Sequence, residues 1–246
     1  MSEKRTAIRE EIRRRRAIQK RNQWIVIGVV VLILVVVIGI IIASQASQTA
    51  SQAPASTSGN AAPPTSISGN TTPAVVPMQF ATPPPMTIDV KKQYFATVTM
   101  AKGGQFVIQL YPDKAPVTVN SFVFLANKGY FNGTTFHRVL EGFMAQGGDQ
   151  TGTGTGGPGY NIPDEKNDLL FNKAGVVAMA NSSRPNTGGS QFFITFTQQD
   201  YLNGGYTIFG QVTSGMDVVN GLTRRDPQTN PTFTGDAIAT ITISEK

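Results

Sequence analysis

Cysteine is absent from all 246 residues, and histidine and tryptophan occur once each. Without a thiol there is no disulfide scaffold, no Cys-ligated zinc, no iron–sulfur cluster and no cysteine nucleophile. A single histidine, His137, leaves both the HExxH signature and any His-pair metal site short of a ligand, so no metal is expected. The compartment stays open, because a domain large enough to bury its own core needs no covalent staples. A broad positive face is missing as well. Lys+Arg 21 against Asp+Glu 15 gives +6, but residues 1–23 hold nine of the cations and three of the acids. Twelve of each sign remain for everything that follows, which excludes a generally basic domain built for nucleic acid.

What the chain does have begins with that basic tail, residues 1–23. After it, Trp24–Ala43 runs for twenty residues without a charge. At about 1.5 Å per helical residue this length spans roughly 30 Å, the hydrocarbon thickness of a bilayer. In lipid the backbone must satisfy its own hydrogen bonds, which forces a helix even on Val and Ile. Trp24 stands at the interface, and the arginine cluster before it should stay cytoplasmic, placing the rest of the chain outside the cell membrane as a single-pass protein. The runner-up is a cleaved secretory signal with Ser44-Gln45-Ala46 as its site, although signal cores usually run only about 7–15 residues. Residues 44–87 carry no charge and eight of the fifteen prolines, among Ser, Thr, Ala and Gln. With no hydrophobic period to offset its ordering entropy, this stretch reads as a flexible linker.

Residues 88–246 read as the folded domain. Tyr94–Met100 and Gln105–Tyr111 alternate as strands around a Gly-Gly turn. Pro116 opens a helix with Val119, Phe122, Val123 and Ala126 at helical spacing, and Gly129 ends it. Further strands are expected at 175–180, 191–197, 207–212 and 237–243, with a short helix over 216–222. Many short strands and two helices suggest a closed antiparallel barrel, which removes exposed sheet edges.

The chemical inventory is narrow. Gly152-Thr153-Gly154-Thr155-Gly156-Gly157 satisfies GxGxxG in form, but Pro158-Gly159 follows where a helix would have to start. It reads as a flexible surface loop and not a phosphate cradle. Asp164 and Glu165 lie in a polar loop and read as solvated. What remains is Phe136-His137-Arg138-Val139, then Gly142-Phe143-Met144-Ala145-Gln146-Gly147-Gly148-Asp149, Ala178-Met179-Ala180-Asn181 and Gly189-Ser190-Gln191-Phe192-Phe193-Ile194-Thr195. An arginine within an aromatic, strand-like run is costly to bury and needs a reason; the bland one is a salt bridge.

Together with Ala115-Pro116 and the Asn120…Phe122 helix, these runs resemble the cyclophilin family of peptidyl-prolyl cis–trans isomerases, from about Tyr94 to Ile243. The resemblance implies a mainly β fold, a closed eight-stranded antiparallel barrel capped by two helices, with a peptide groove on its outer face. It makes Arg138 the catalytic arginine. Phe143, Met144, Phe193 and Leu202, with Ala180 beside them, become the wall of a proline pocket. Gln146, Asn181 and Gln191 become the holders of the peptide backbone, and Tyr201 and Tyr206 stand where relatives often carry Trp and His. No cofactor is implied, and the partners are proline-containing peptides and unfolded clients. Tyr201 lacks the indole donor, which implies weakened cyclosporin binding, and the Ser182–Pro185 loop is one residue longer than in the commonest relatives.

The chemistry fits those residue types. Rotating an X–Pro amide breaks its resonance at a cost of about 20 kcal/mol, yet no bond to the amide forms or breaks. The need is a fixed donor that binds the twisted amide better than either planar isomer, which an always-protonated, planar guanidinium can supply. His137 should point away from Arg138 as a satisfied structural residue, and Phe122, Phe124, Phe136 and Phe192 should belong to the core. The expected activity is isomerisation of X–Pro bonds in extracytoplasmic proteins. The alternative is a membrane-tethered module that binds proline peptides and turns them over only incidentally.

Overall fold

The computed structural model describes residues 77–229 and 232–246. The basic tail, the apolar span Trp24–Ala43 and the linker up to residue 76 lie outside the described residues. Among the described residues, no helix is long and apolar enough to cross a membrane.

Strand β1 (Tyr94–Met100) turns Tyr94, Ala96, Val98 and Met100 inward, and β2 (Gln105–Leu110) does the same with Phe106, Ile108 and Leu110. The two pair antiparallel with Ala96 opposite Ile108 and Val98 opposite Phe106. Period-two alternation thus sets both the face and the register of this hairpin. Helix α1 (Pro116–Asn127) starts on Pro116, whose missing N–H costs nothing at a first turn. No local side chain caps it. Glu165 does so from a distant loop, its carboxylate accepting from the N–H groups of Val117 at 2.9 Å and Thr118 at 2.8 Å and from the Thr118 hydroxyl. Asp164 exchanges hydrogen bonds with Asn186. Both acids hold loops in place, which corrects their reading as solvated.

The remaining elements are β3 (Arg138–Leu140), β4 (Met144–Gly147), β5 (Val176–Met179), β6 (Phe192–Thr195), a 3-10 turn (Asp200–Leu202), β7 (Ile208–Ser214), helix α2 (Met216–Asn220) and β8 (Ile238–Glu245). All eight strands form one antiparallel sheet in the order β3-β4-β6-β5-β7-β2-β1-β8. The expected barrel is therefore not closed by a strand ladder: β3 and β8 end the sheet. Strand β3 is only three residues long, and the chain ahead of it meets β8 through a single bridge, Thr135 with Ala237. Three backbone bonds, Gly133 N–H to Ile238 O, Phe136 N–H to Asp236 O and Ile238 N–H to Thr134 O, complete that contact. The result is a curled sheet with a stitched seam.

Two apolar clusters lie on opposite faces. In the larger, Phe122 packs against Phe131, Phe192 and Phe209 at ring separations of 5.0, 5.5 and 5.4 Å. The smaller gathers Met144, Phe171, Val176, Ala178, Phe193, Leu202 and Ile208. Strand β6 divides them: Phe192 and Ile194 enter the first cluster, Phe193 the second. Residues 77–87, assigned above to the linker, are part of the folded unit. Phe80 stacks edge-on against Phe124 at 5.0 Å, and its N–H donates to Pro158 O.

Candidate active site

The smaller cluster is the floor from which a site is built. Its floor residue Phe193 stacks on Phe171 at 5.8 Å with the rings nearly parallel, and Tyr206 meets Phe193 edge-on at 5.2 Å. Met144 comes from β4, Leu202 from the 3-10 turn, and Phe143 and Ala180 pack against them half-buried. Five residues expected to form an apolar wall are thus brought together, Phe143, Met144, Ala180, Phe193 and Leu202, and Tyr206 joins them. Tyr201 stands apart at the rim, 71% exposed, with its ring 6.1 Å from that of Phe143. Phe171, fully buried beneath Phe193, is a member that sequence reasoning missed. The only signal for it was the apolar run Leu169-Leu170-Phe171, which has no period.

Arg138 opens β3 directly opposite Gln146 of β4. Its guanidinium carbon sits 5.9 Å from the centre of the Phe143 ring. Among the described residues no carboxylate pairs with it, so the salt-bridge explanation for a lone arginine does not hold here. A cation held over an aromatic face with unused donors is free to bind something else.

Beside it runs a chain of amides with a fixed sense. Gln146 Nε2 donates to Gln191 Oε1 at 2.9 Å, and Gln191 Nε2 donates to Gly154 O and Gly156 O at 3.0 and 2.8 Å. Asn181 Nδ2 donates to Gly205 O, while its Oδ1 accepts from Ser183 N–H at the start of the loop that follows. Gln146, Ala180, Asn181 and Gln191 share an open cavity of about 830 Å³. The polar groups and the apolar wall are therefore neighbours, joined by Ala180.

The glycine-rich loop owes its shape to Asp149, which is fully buried. The Asp149 carboxylate accepts from the N–H groups of Thr151, Gly154 and Gly156 at 2.7, 2.7 and 3.1 Å and from the Thr151 hydroxyl. A Cβ on Gly156 would lie 2.0 Å from Asp149 Oδ1, so only glycine fits there. The N–H groups that a phosphate cradle would need are turned on an internal anion. This corrects the reading of a flexible loop: it is tied down, and its carbonyls orient Gln191. Burial pushes the Asp149 carboxyl upward, but the Thr151 hydroxyl and the backbone N–H donors together hold it below its ordinary range.

His137 is buried, as expected, but it is not fully satisfied: its Nδ1 has no hydrogen-bond partner. Burial pushes its pKa below the usual histidine value, against an opposing pull from the Asp149 charge. The folded state then binds fewer protons than the unfolded chain as pH falls below about 6.5, so stability declines with acidification there. Because this is the only histidine, the urea midpoint should drop between pH 7.5 and 5.5 in the wild type and drop less in His137→Gln. A wild-type midpoint that is flat over that window would contradict the buried, neutral state.

Residues 95–243 match the family model described as "Cyclophilin type peptidyl-prolyl cis-trans isomerase/CLD". The chain is 45% identical over 138 residues to peptidyl-prolyl cis-trans isomerase B of Bacillus subtilis, covering 56% of this chain and 94% of that protein. It is 47% identical over 134 residues to the human peptidyl-prolyl cis-trans isomerase-like 1, covering 52% of this chain and 80% of that one. A crystal structure of a Cryptosporidium parvum cyclophilin type isomerase superposes with a TM-score of 0.58 at 32% identity, over 63% of this chain and 99% of that one. A second structure of that protein, in the presence of the dipeptide Ala-Pro, gives 0.57 at 34% identity, over 62% and 99%.

Proposed function

Since the chain belongs to the cyclophilin-type peptidyl-prolyl cis–trans isomerases, and so catalyses rotation about X–Pro bonds, we propose that Arg138 drives that rotation over the Phe143–Phe193 wall, on the extracytoplasmic side of a membrane. The observation that carries the reading is the Arg138 guanidinium, unpaired among the described residues and 5.9 Å from the Phe143 ring.

The proline ring enters the apolar cluster, where Phe143, Met144, Phe193 and Leu202 exclude water and Phe171 backs Phe193. As the amide twists, its nitrogen regains a lone pair and its carbonyl loses resonance. The guanidinium donates to the nitrogen and anchors the prolyl carbonyl, a contact that strengthens as the amide leaves planarity. Gln146 and Gln191, with their amide sense set by the loop carbonyls, and Asn181 hold the flanking backbone so that one side of the bond turns. The Ala-Pro dipeptide in the related crystal structure supports an X–Pro occupant. The exposed Tyr201 offers a ring but no indole N–H, which weakens cyclosporin relative to peptide. Arg138→Ala, followed by NMR exchange on an X–Pro peptide, is the decisive test of the arginine.

The location rests on sequence: an uncharged Trp24–Ala43 span behind nine cations that should stay inside. The clients are then proteins folding outside the cytoplasm. Protease added to intact cells should remove the 77–246 domain while leaving a membrane-bound N-terminal fragment. A domain digested only after lysis would overturn this placement.

A further inference from the structure

The segment just ahead of the domain is built into it. Asn120, 3% exposed on α1, directs its side chain to this strap alone: Oδ1 accepts from Thr87 N–H and hydroxyl, and Nδ2 donates to Pro85 O at 3.0 Å and Pro84 O at 3.5 Å. Further on, Met78 N–H donates to the Gln150 side chain, and Phe80 N–H to Pro158 O at 2.8 Å. The strap backbone lies so close to Gly159, at φ +91°, that a Cβ there would stand 2.7 Å from Phe80 O. This path carries Gln79 to the cavity that Gln146, Asn181 and Gln191 also line.

We propose that Gln79, held by the 78–80 strap, forms part of the wall of the substrate groove and is a specificity-determining residue favouring clients with an amide side chain near the proline. The proposal rests on the groove reading given above. Gln79 Nε2 is committed to Gly157 O at 2.9 Å, which fixes the sense of the amide and leaves Oε1 as an acceptor without a protein partner among the described residues. The cavity lining contains Gln, Asn, Thr and Ser side chains and no charged one. A client carboxylate or ammonium entering it would lose water without meeting a counter-charge. A leucine would cover these amides and leave them unpaired, whereas a glutamine or asparagine exchanges water for donors and acceptors on both sides. Residues 78–80 lie outside the part of the chain that matches the family, 95–243, so the preference belongs to this protein's own extension.

The test uses the full-length protein and X–Pro peptides carrying Gln, Leu or Glu at each of three positions on either side of the proline, read as Kd and as KM. The wild type should favour Gln over Leu and Glu by about fivefold at one position, one good hydrogen bond's worth. In Gln79→Ala that ratio should fall to near one. Gly159→Val, which pushes the strap away, should lose it too. Gln79 is exposed, so its variant should keep the wild-type thermal midpoint. A preference that survives in Gln79→Ala overturns the proposal, as does a wild type that discriminates at no position. Because the ratio is read in Kd as well as KM, a failure of Arg138 to govern turnover would bear on the catalytic reading alone.

Discussion

Replacing Arg138 by alanine should lower kcat on an X–Pro peptide by about 10²–10³-fold, the usual cost of losing one preorganised donor to a developing charge. Peptide Kd should change by less than about threefold, since the apolar wall and the Gln146–Gln191–Asn181 amides are untouched. The contrast follows from when the contact is made. A planar amide nitrogen has no lone pair to offer, so the guanidinium gains most of its interaction only as the bond twists. NMR exchange measures turnover, and titration of the same peptide measures binding. Equal losses in both would move the arginine into ordinary substrate holding and favour a binding module with incidental turnover. Arg138→Lys should recover little, because a point charge does not reproduce two donors in one plane.

Asp149→Ala should destabilise the domain by about 3–6 kcal/mol, a large part of the 5–15 kcal/mol that holds such a domain folded. The estimate comes from losing three part-buried hydrogen bonds to a charged group at about 1–2 kcal/mol each: the N–H groups of Thr151, Gly154 and Gly156 lose their acceptor together. The same change releases the Gly154 and Gly156 carbonyls that orient Gln191, so the folded fraction should also show a raised KM. A carboxyl held below its ordinary pKa contributes stability that is present above about pH 4 and lost as pH falls through the folded value. The wild type should therefore lose this contribution in acid while the variant has none to lose. Urea denaturation at pH 7 and in the acid range reads both; a loss under about 1 kcal/mol at pH 7 would mean that the loop holds its shape without the carboxylate.

Much of the fold was legible because its signals are local. Alternation placed β1 and β2, Pro116 and Gly129 bracketed α1, and the family resemblance put Phe193 in the wall while Phe192 was assigned to the core. What sequence reasoning missed depends on distance along the chain. Glu165 caps a helix 47 and 48 positions away, and nothing near it says so. Closure of the sheet turns on whether a three-residue strand can extend a ladder to β8, which no single segment records. The residues expected to form the site converge, but Phe171 joins them through a loop with no period, and Asp149 acts through a turn whose glycines looked merely loose. Phe80 and Gln79 were hidden by composition: an aromatic and an amide inside a proline-rich stretch read as more of the same tether.

The strap has a practical consequence for where this protein can be cut. Similarity draws the domain boundary at residue 95, and a shortened version begun there would keep the proline wall and all of the curled sheet but Tyr94, the first residue of β1. It would also leave the Asn120 amide with none of its partners from Thr87, Pro84 and Pro85, and the face of Phe124 without Phe80. A boundary recognised by likeness to relatives would here pass through a folded unit whose contacts reach back at least to Met78.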